Sequence, residues 1–365
     1  MNAAVKPDPG IAATAPAQAI EDLVADAMRV CGLPAEDAQR VGKLMAEADL
    51  TGADGHGIFR LPQYVRRLKG GAVNPTPRIE VERAAPGVAL VDGDNGMGHL
   101  VMSVAADTAT AIAREIGIAW VGVRRSNHAG PAALYVDMLA QRGLVGIYSV
   151  VASSNHMAPW GGTSSLLGTN PLAIAIPAGE GKPPVLLDIA TTVVSYGTVK
   201  KHVLNDVPMP EGWLVSRKDG SAITDPKRSG EGLLLPIGGH KGSGLALMLG
   251  LLAGTLNAAA FGSEVIDFNA DSTSETNTGH FLVALDVARF MPPAAFAAVL
   301  QRQLDELRHD APLPGTDGVR IPGDRRAVLR EARIRDGVPI PPPLRRQLDE
   351  LATTLGIEPL AARQS

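Results

Sequence analysis

The chain has 365 residues, long enough for two or three domains with cores of their own. Its 45% apolar and 20% charged content is that of an ordinary globular protein. A net charge of −4, from 34 basic and 38 acidic residues, leaves no large basic field to hold nucleic acid or an acidic membrane. The single cysteine, Cys31, excludes an internal disulfide and points to a reducing compartment, the cytoplasm.

Residues 1–16, rich in Ala and Pro and without an apolar run of signal-peptide length, read as a flexible tail. Ile20, Leu23, Val24, Ala27 and Met28 fall at helical spacing over residues 17–32, and Cys31 reads as core there. Pro34 opens a second helix with Ala38, Val41, Leu44, Met45 and Ala48 on one face, closed by Gly52. The next stretch, ADLTGADGHGIFRLPQYVRRL (48–68), places His56 between Gly55 and Gly57, with Arg60 and Tyr64 following at spacings of four. Pro62 fits the first turn of a helix, so a third helix is predicted over about Leu61–Lys69 and stopped by Gly70-Gly71. His56 then lies in the loop feeding it and Arg60 at its entrance, where a guanidinium and helix N–H groups can converge on an anion.

From Ile79 the pattern alternates between Gly, Pro and Asp breaks, predicting short strands, then an Ala-rich helix over Ser103–Ile116 and a strand GIAWVGVRR. SNHAGPAALYVDMLAQRG is a loop carrying His128 and entering a helix through Pro131. LVGIYSVVAS is a buried strand, and GTNPLAIAIP (168–177) and PPVLLDIATT (183–192) are two more. Residues 200–239 read as turns and loops. Gly242–Gly262 carries no charge and is long enough to span a membrane, but its Gly and Ala content, Thr255, Asn257 and the absence of flanking aromatic anchors favour a buried, tightly packed helix. A polar loop, the strand HFLVALDV, a helix from Pro292-Pro293 to about Arg308, and a last helix from Pro341–Pro343 to about Leu355 complete the chain. Helices at both ends and strands in the middle suggest a discontinuous helical domain (17–85 with 290–365) around an α/β region (86–289).

Chemistry is confined to a few places. His56 and His128 are loop imidazoles able to move a proton near neutral pH. No G-x-G-x-x-G fingerprint is present. Gly238-Gly239-His240-Lys241-Gly242-Ser243-Gly244 is glycine-rich and opens a helix, so backbone N–H groups and Lys241 can cradle phosphate. Asp188, at the end of VLLD, can accept ribose hydroxyls. A competing reading is a metal-dependent hydrolase built on Asp54, His56 and His128, with His156 or His240 completing a site. Another is a protein that binds a metabolite without turning it over.

The pattern ADL-x-G-x-D-x-HG-x-x-RLP-x-Y resembles the N-terminal signature of the malate/L-lactate dehydrogenase family of the second type. These are non-Rossmann NAD(P)-dependent 2-hydroxy-acid and imino-acid oxidoreductases that include ureidoglycolate, sulfolactate and piperideine-2-carboxylate-type enzymes. The Asn127-His128-Ala129-Gly130, LGTNP (167–171), LDIATT (187–192), LPIGGHKGSGLAL (235–247) and IPGD (321–324) elements resemble further family elements in the family's order. The resemblance implies an α/β fold with a mixed, largely antiparallel cofactor sheet and a helical domain formed from both termini. It also implies a homodimer, and NAD or NADP as cofactor, bound around Thr169, Asn170, Asp188, Ile189, Ala190, His240, Lys241, Gly323 and Asp324. The substrate is then a small 2-oxo or 2-imino carboxylic acid, clamped by Arg60 and oriented by Tyr64, with His56 or His128 as proton donor. Two residues depart from the family: Gly55 stands where Ser is usual and Ala129 where Phe is usual, so a larger pocket is expected.

Overall fold

The computed structural model describes residues 13–363, and residues 1–12 of the expected tail lie outside the described residues. Thr14 and Ala15 are a short strand, β1, followed by helices α1 (Ala17–Val30), α2 (Ala35–Leu50) and α3 (Leu61–Lys69). Proline precedes or opens each of these helices, and α3 ends at Gly70 as its sequence predicts. Cys31 caps α1 half-buried rather than fully in the core, and burial pushes its thiol up.

Strands β2 (Glu80–Ala85) and β3 (Val88–Asp92) lead into α4 (Gly98–Ile116), which starts five residues before the predicted helix, and β4 (Ile118–Ser126). Then come α5 (Ala133–Gln141), β5 (Leu144–Val150), β6 (Leu172–Ile176) and β7 (Val185–Ile189). The stretch expected to be loop holds α6 (Tyr196–Leu204) and a two-stranded ribbon of β8 (Leu214–Ser216) and β9 (Gly232–Leu234). Helix α7 (His240–Ala253), strand β10 (Thr278–Asp286) and α8 (Pro293–Arg308) follow. The chain closes with α9 (Asp324–Asp336), β11 (Val338–Pro339), antiparallel to β1, and α10 (Pro342–Leu355). The sequence pattern predicts no helix where α9 lies.

The chain divides into two compact units: one from its start to Gly71 together with Asp324 onward, the other Ala72–Gly323. The division differs from the predicted 85/86 and 289/290 boundaries for structural reasons. Strand β2 pairs with β3, so it belongs to the sheet. Lys182, in the loop between β6 and β7, reaches Gln301 of α8, which joins that helix to the same unit.

In the sheet unit seven strands lie in the order β2-β3-β4-β10-β5-β6-β7. Only β3 and β4 run parallel; every other neighbouring pair is antiparallel. The sheet is therefore mixed and largely antiparallel, as the resemblance implied. The middle strand β10 is buried almost throughout, and Trp120 stacks on its Phe281 at 4.8 Å. Helix α7 packs Leu249 and Ala253 on Val151, Phe281 and Val283. Its small residues serve close approach: a Cβ on Gly250 would lie 2.4 Å from the Phe261 ring, and one on Gly279 of β10 would lie 2.2 Å from the Ala253 carbonyl. The helix is buried on this face only, since Leu247 and Met248 are exposed. Among the described residues no helix is long and apolar enough to cross a membrane.

Asn257, one of the polar interruptions in the apolar 242–262 run, ends this helix from inside. Its buried amide donates to the Ala253 carbonyl at 2.8 Å and to the His280 carbonyl at 2.9 Å. Asn257→Ala strands both acceptors away from water, and we expect a loss of about 1–3 kcal/mol, read as a lowered urea midpoint.

Candidate active site

Two groups of side chains stand out, one in each unit. In the helical unit the 48–68 stretch makes two short 3-10 turns, Asp54–His56 and Ile58–Arg60, before α3. Arg60 closes the loop on itself: its Nε donates to the Gly55 carbonyl at 2.8 Å and its backbone N–H to the Gly57 carbonyl at 2.9 Å. Burial, and then the Arg60 guanidinium, hold the His56 imidazole down at about 4. His56 is therefore neutral near pH 7, a hydrogen-bonding ring more than an acid. Tyr64 is a core residue whose phenol burial pushes up.

The two glycines beside His56 differ. A Cβ on Gly55 would meet nothing within 4 Å, whereas one on Gly57 would lie 1.9 Å from Oδ1 of Asp49. Asp49, on the last turn of α2, accepts the Ile58 N–H at 2.8 Å. Burial pushes its carboxyl well above the usual carboxylate range, the Ile58 bond pulls the other way, and nearby Asp54 raises it further. Helix α9 braces this region: Arg333 pairs with Asp54 and donates to the Asp49 carbonyl, and Arg330 pairs with Glu47 at 2.7 Å.

In the sheet unit His128 follows the end of β4. The preceding Asn127 is buried and its carboxamide is engaged on both sides. Nδ2 donates to the Asn95 carbonyl (3.0 Å), Asn95 Oδ1 (2.9 Å) and the Gly96 carbonyl (3.0 Å), while Oδ1 accepts from the Thr276 hydroxyl at 3.1 Å. In the turn that offers these acceptors, Asp94 and Asn95 are left-handed, at φ 45° and 54°, a conformation Asp and Asn tolerate. The His128 ring stacks on Phe268 at 5.1 Å and 22°. Its Nδ1 accepts the Gly130 N–H at a long 3.4 Å. The Tyr135 hydroxyl donates to the Ala129 carbonyl. Ala129 itself is buried.

Beneath this loop lies His280 of β10, fully buried, with Nδ1 2.7 Å from the Tyr148 hydroxyl. Burial drives it to about 3, so it stays neutral. Sequence reading missed His280, Tyr148, Asn95 and Asp49, because each acts through a partner from a distant or unremarked stretch. His156, considered only as a metal ligand, instead stacks on Tyr196 at 3.6 Å and is held down at about 4, chiefly by burial.

The cofactor-like elements converge. Thr191 bonds the Thr169 carbonyl through both its N–H and its hydroxyl, and its own carbonyl accepts the Ile237 N–H. The GTNP, DIATT and PIGGHK segments are thus fastened at one residue. Asp188 accepts the Ala133 N–H at 2.9 Å, joining β7 to the start of α5 behind His128. Asn170 is buried and spends its carboxamide on Ala152 and Ala246. Gly238 and Gly239 have φ of 59° and 65°, a backbone other residues resist, and they lead into His240 and Lys241 at the start of α7. A Cβ on Gly238 would meet nothing within 4 Å, leaving a bare backbone approach at a helix N-terminus. The glycine turn and the start of α7 fit a nucleotide's phosphates. Gly323 has φ 101° after Pro322, whose carbonyl accepts the Leu186 N–H on β7; Asp324 opens α9 in the other unit. Among the described residues no group of three or more His, Cys, Asp or Glu is arranged to hold a metal ion, so the hydrolase reading lacks a ligand set.

A family model described as malate/L-lactate dehydrogenase matches residues 15–349. The malate dehydrogenase of Pyrococcus abyssi is 36% identical over 336 residues, covering 90% of this chain and 91% of that one. The L-sulfolactate dehydrogenase of Methanocaldococcus jannaschii is 34% identical, covering 92% and 95%. The solved malate dehydrogenase structure from Pyrococcus horikoshii OT3 superposes with a TM-score of 0.87 at 31% identity, covering 96% and 98%.

The depressed histidines set a pH dependence. His56, His156 and His280 all fall below the ordinary 6.5. Between 6.5 and their folded values the unfolded chain binds more protons, so their stabilising contribution is whole above pH 6.5 and drains away as pH falls. The raised Asp49 works in the opposite direction, so a difference measurement is needed. We expect His280→Gln to flatten the acid side of the stability curve by about 1.4 kcal/mol per pH unit between pH 6 and 4. Denaturant midpoints of both proteins across that range provide the measurement, and parallel curves would contradict it.

Proposed function

Because the chain belongs to the malate/L-lactate dehydrogenase family, it is an NAD(P)-dependent oxidoreductase, and we propose that His128 is its proton-transferring residue and Arg60 its carboxylate clamp. The reaction moves a hydride between NAD(P)H and C2 of a 2-oxo or 2-imino acid, or the reverse from the 2-hydroxy acid. Relatives include enzymes named for each cofactor. The observation that carries the assignment is the His128 loop: a half-buried imidazole stacked on Phe268, fixed by Asn127, and joined through α5 to Asp188.

When bound, the nicotinamide supplies or takes the hydride. The chain does the rest. His128 presents Nε2 to the oxygen or nitrogen on C2 and gives it a proton during reduction, taking one back during oxidation. The Gly130 contact at 3.4 Å is long, so protonating Nδ1 sacrifices little. Arg60, its Nε held by the Gly55 carbonyl, is the cation assigned to the substrate carboxylate. His56, held neutral, contributes a hydrogen bond. The first turn of α7, with His240 and Lys241, holds the cofactor phosphates, and Asp188 accepts ribose hydroxyls.

We propose a homodimer in the cytoplasm. The single cysteine supports the compartment. The assembly is supported by a row of exposed apolar side chains on and beside α7, with Trp160 62%, Met248 56% and Leu256 61% exposed. Met248→Glu with Leu256→Glu should shift sedimentation toward monomer; an unaltered dimer would place the interface elsewhere.

His128→Ala should lower kcat by about 10²–10⁴ with KM little altered, assayed as NAD(P)H oxidation against a panel of 2-oxo and 2-imino acids. Near-normal turnover would remove His128 from proton transfer. Because Gly55 has open space around it, Gly55→Ser is sterically free. It should shift preference toward smaller or more polar acids, while decarboxylated analogues fail throughout. Wild-type preference for pyruvate or oxaloacetate, unaltered by Gly55→Ser, would refute the size argument alone.

A further inference from the structure

We infer that Asp49 is a positioning residue, interlocked with Gly57 so that the loop between them aims His56 and Arg60 at the substrate. The inference rests on the reading of Arg60 as the carboxylate clamp. Asp49 is 2% exposed, and its carboxylate accepts the Ile58 N–H at 2.8 Å. A buried carboxyl group needs a polar partner, and the Ile58 bond holds this side chain in place. Gly57 lies directly against it. All three heavy atoms nearest to a Cβ at that position belong to the Asp49 carboxylate, at 1.9, 2.2 and 2.4 Å. No side chain fits there while Asp49 keeps its place. The Gly57 carbonyl in turn accepts the Arg60 N–H, and the Gly55 carbonyl holds Arg60 Nε. A displaced Gly57 therefore moves the guanidinium and, one residue away, the imidazole. Arg333 secures the other side of Asp49 by donating to its carbonyl while pairing with Asp54.

The interlock predicts a specific non-additivity. Gly57→Ala alone should lower kcat/KM about 10- to 100-fold, because a shift near 1 Å at reacting groups costs that much. Asp49→Ala alone should lower it by a smaller factor and speed hydrogen exchange at the Ile58 amide. In the double variant the methyl group added by Gly57→Ala enters the space the carboxylate left, so the loss should be smaller than the product of the two single losses. Asp49→Asn keeps an oxygen for Ile58 and should stay within a few-fold of wild type. NAD(P)H affinity, measured by fluorescence titration, should be unaltered in all of them. If Gly57→Ala does not fold, recovery of a folded protein in the double variant supports the interlock and an unfolded double variant overturns it. Wild-type kinetics in folded Gly57→Ala, or strictly multiplicative losses, overturn it as well. Arg60→Ala separates the two claims. If it abolishes carboxylate dependence while the Asp49 and Gly57 variants are normal, the clamp stands and the interlock falls. If Arg60→Ala is itself normal, nothing needs aiming and both fall.

Discussion

The carboxamide of Asn127 ties the end of β4 to the segments on either side of it. Strand β4 ends at Ser126, and Asn127 carries the chain out of the sheet at a fixed angle into the His128 loop. Asn127 supplies that angle by bonding a turn that follows β3, its parallel neighbour, and Thr276, which precedes the antiparallel neighbour β10. The turn offers three acceptors, and in it Asp94 and Asn95 take a left-handed backbone, which these two residue types adopt more readily than other non-glycines. The neighbouring backbone leaves no slack: a Cβ on Gly98 would lie 2.2 Å from the Asn127 carbonyl. Close approach and a buried, fully bonded amide together fix the geometry of this loop.

The two loops that carry histidines are built on the same plan. Each depends on a buried polar side chain, Asn127 in one and Asp49 in the other, and each is crowded at a glycine, Gly98 at the start of α4 against the Asn127 carbonyl and Gly57 against the Asp49 carboxyl. Neutral rings recur as well. His280 under the His128 loop and His56 in its own loop are both held uncharged by burial. An uncharged support keeps the local field from drifting with pH, so charge changes are left to the groups that meet the substrate.

What could be read from the sequence was what depends on neighbours along the chain. Pro62 and Gly70 placed α3 at Leu61–Lys69, and Pro292-Pro293 placed α8, because a missing N–H and a permissive backbone act locally. Helix α9 was invisible for the same reason in reverse. DRRAVLREARIRD has no apolar stripe, Val328 and Ile334 are each 57% exposed, and the helix is fastened by Arg330 and Arg333 to acidic residues of α2 and the loop after it, whose partnership has no sequence signal. The mixed sheet came from resemblance, not periodicity, since strand order depends on which distant segments pair. The site divided likewise. His56, His128 and the glycine loop carry local signatures, whereas the Tyr148–His280 contact joins residues 132 apart.

That division explains why Gly55 and Gly57, identical in the sequence, carry different information. Gly57 is fixed from below by Asp49, so its identity reports on the scaffold. Gly55 has nothing near its missing Cβ, so the fold is indifferent to what stands there. A position that the fold leaves open, one residue from an imidazole and bonded through its carbonyl to the Arg60 guanidinium, can vary without disturbing how those groups are held. Under the roles proposed for His56 and Arg60, a change at Gly55 alters what lies beside them while their anchors, at Asp49 and Gly57, stay as they are.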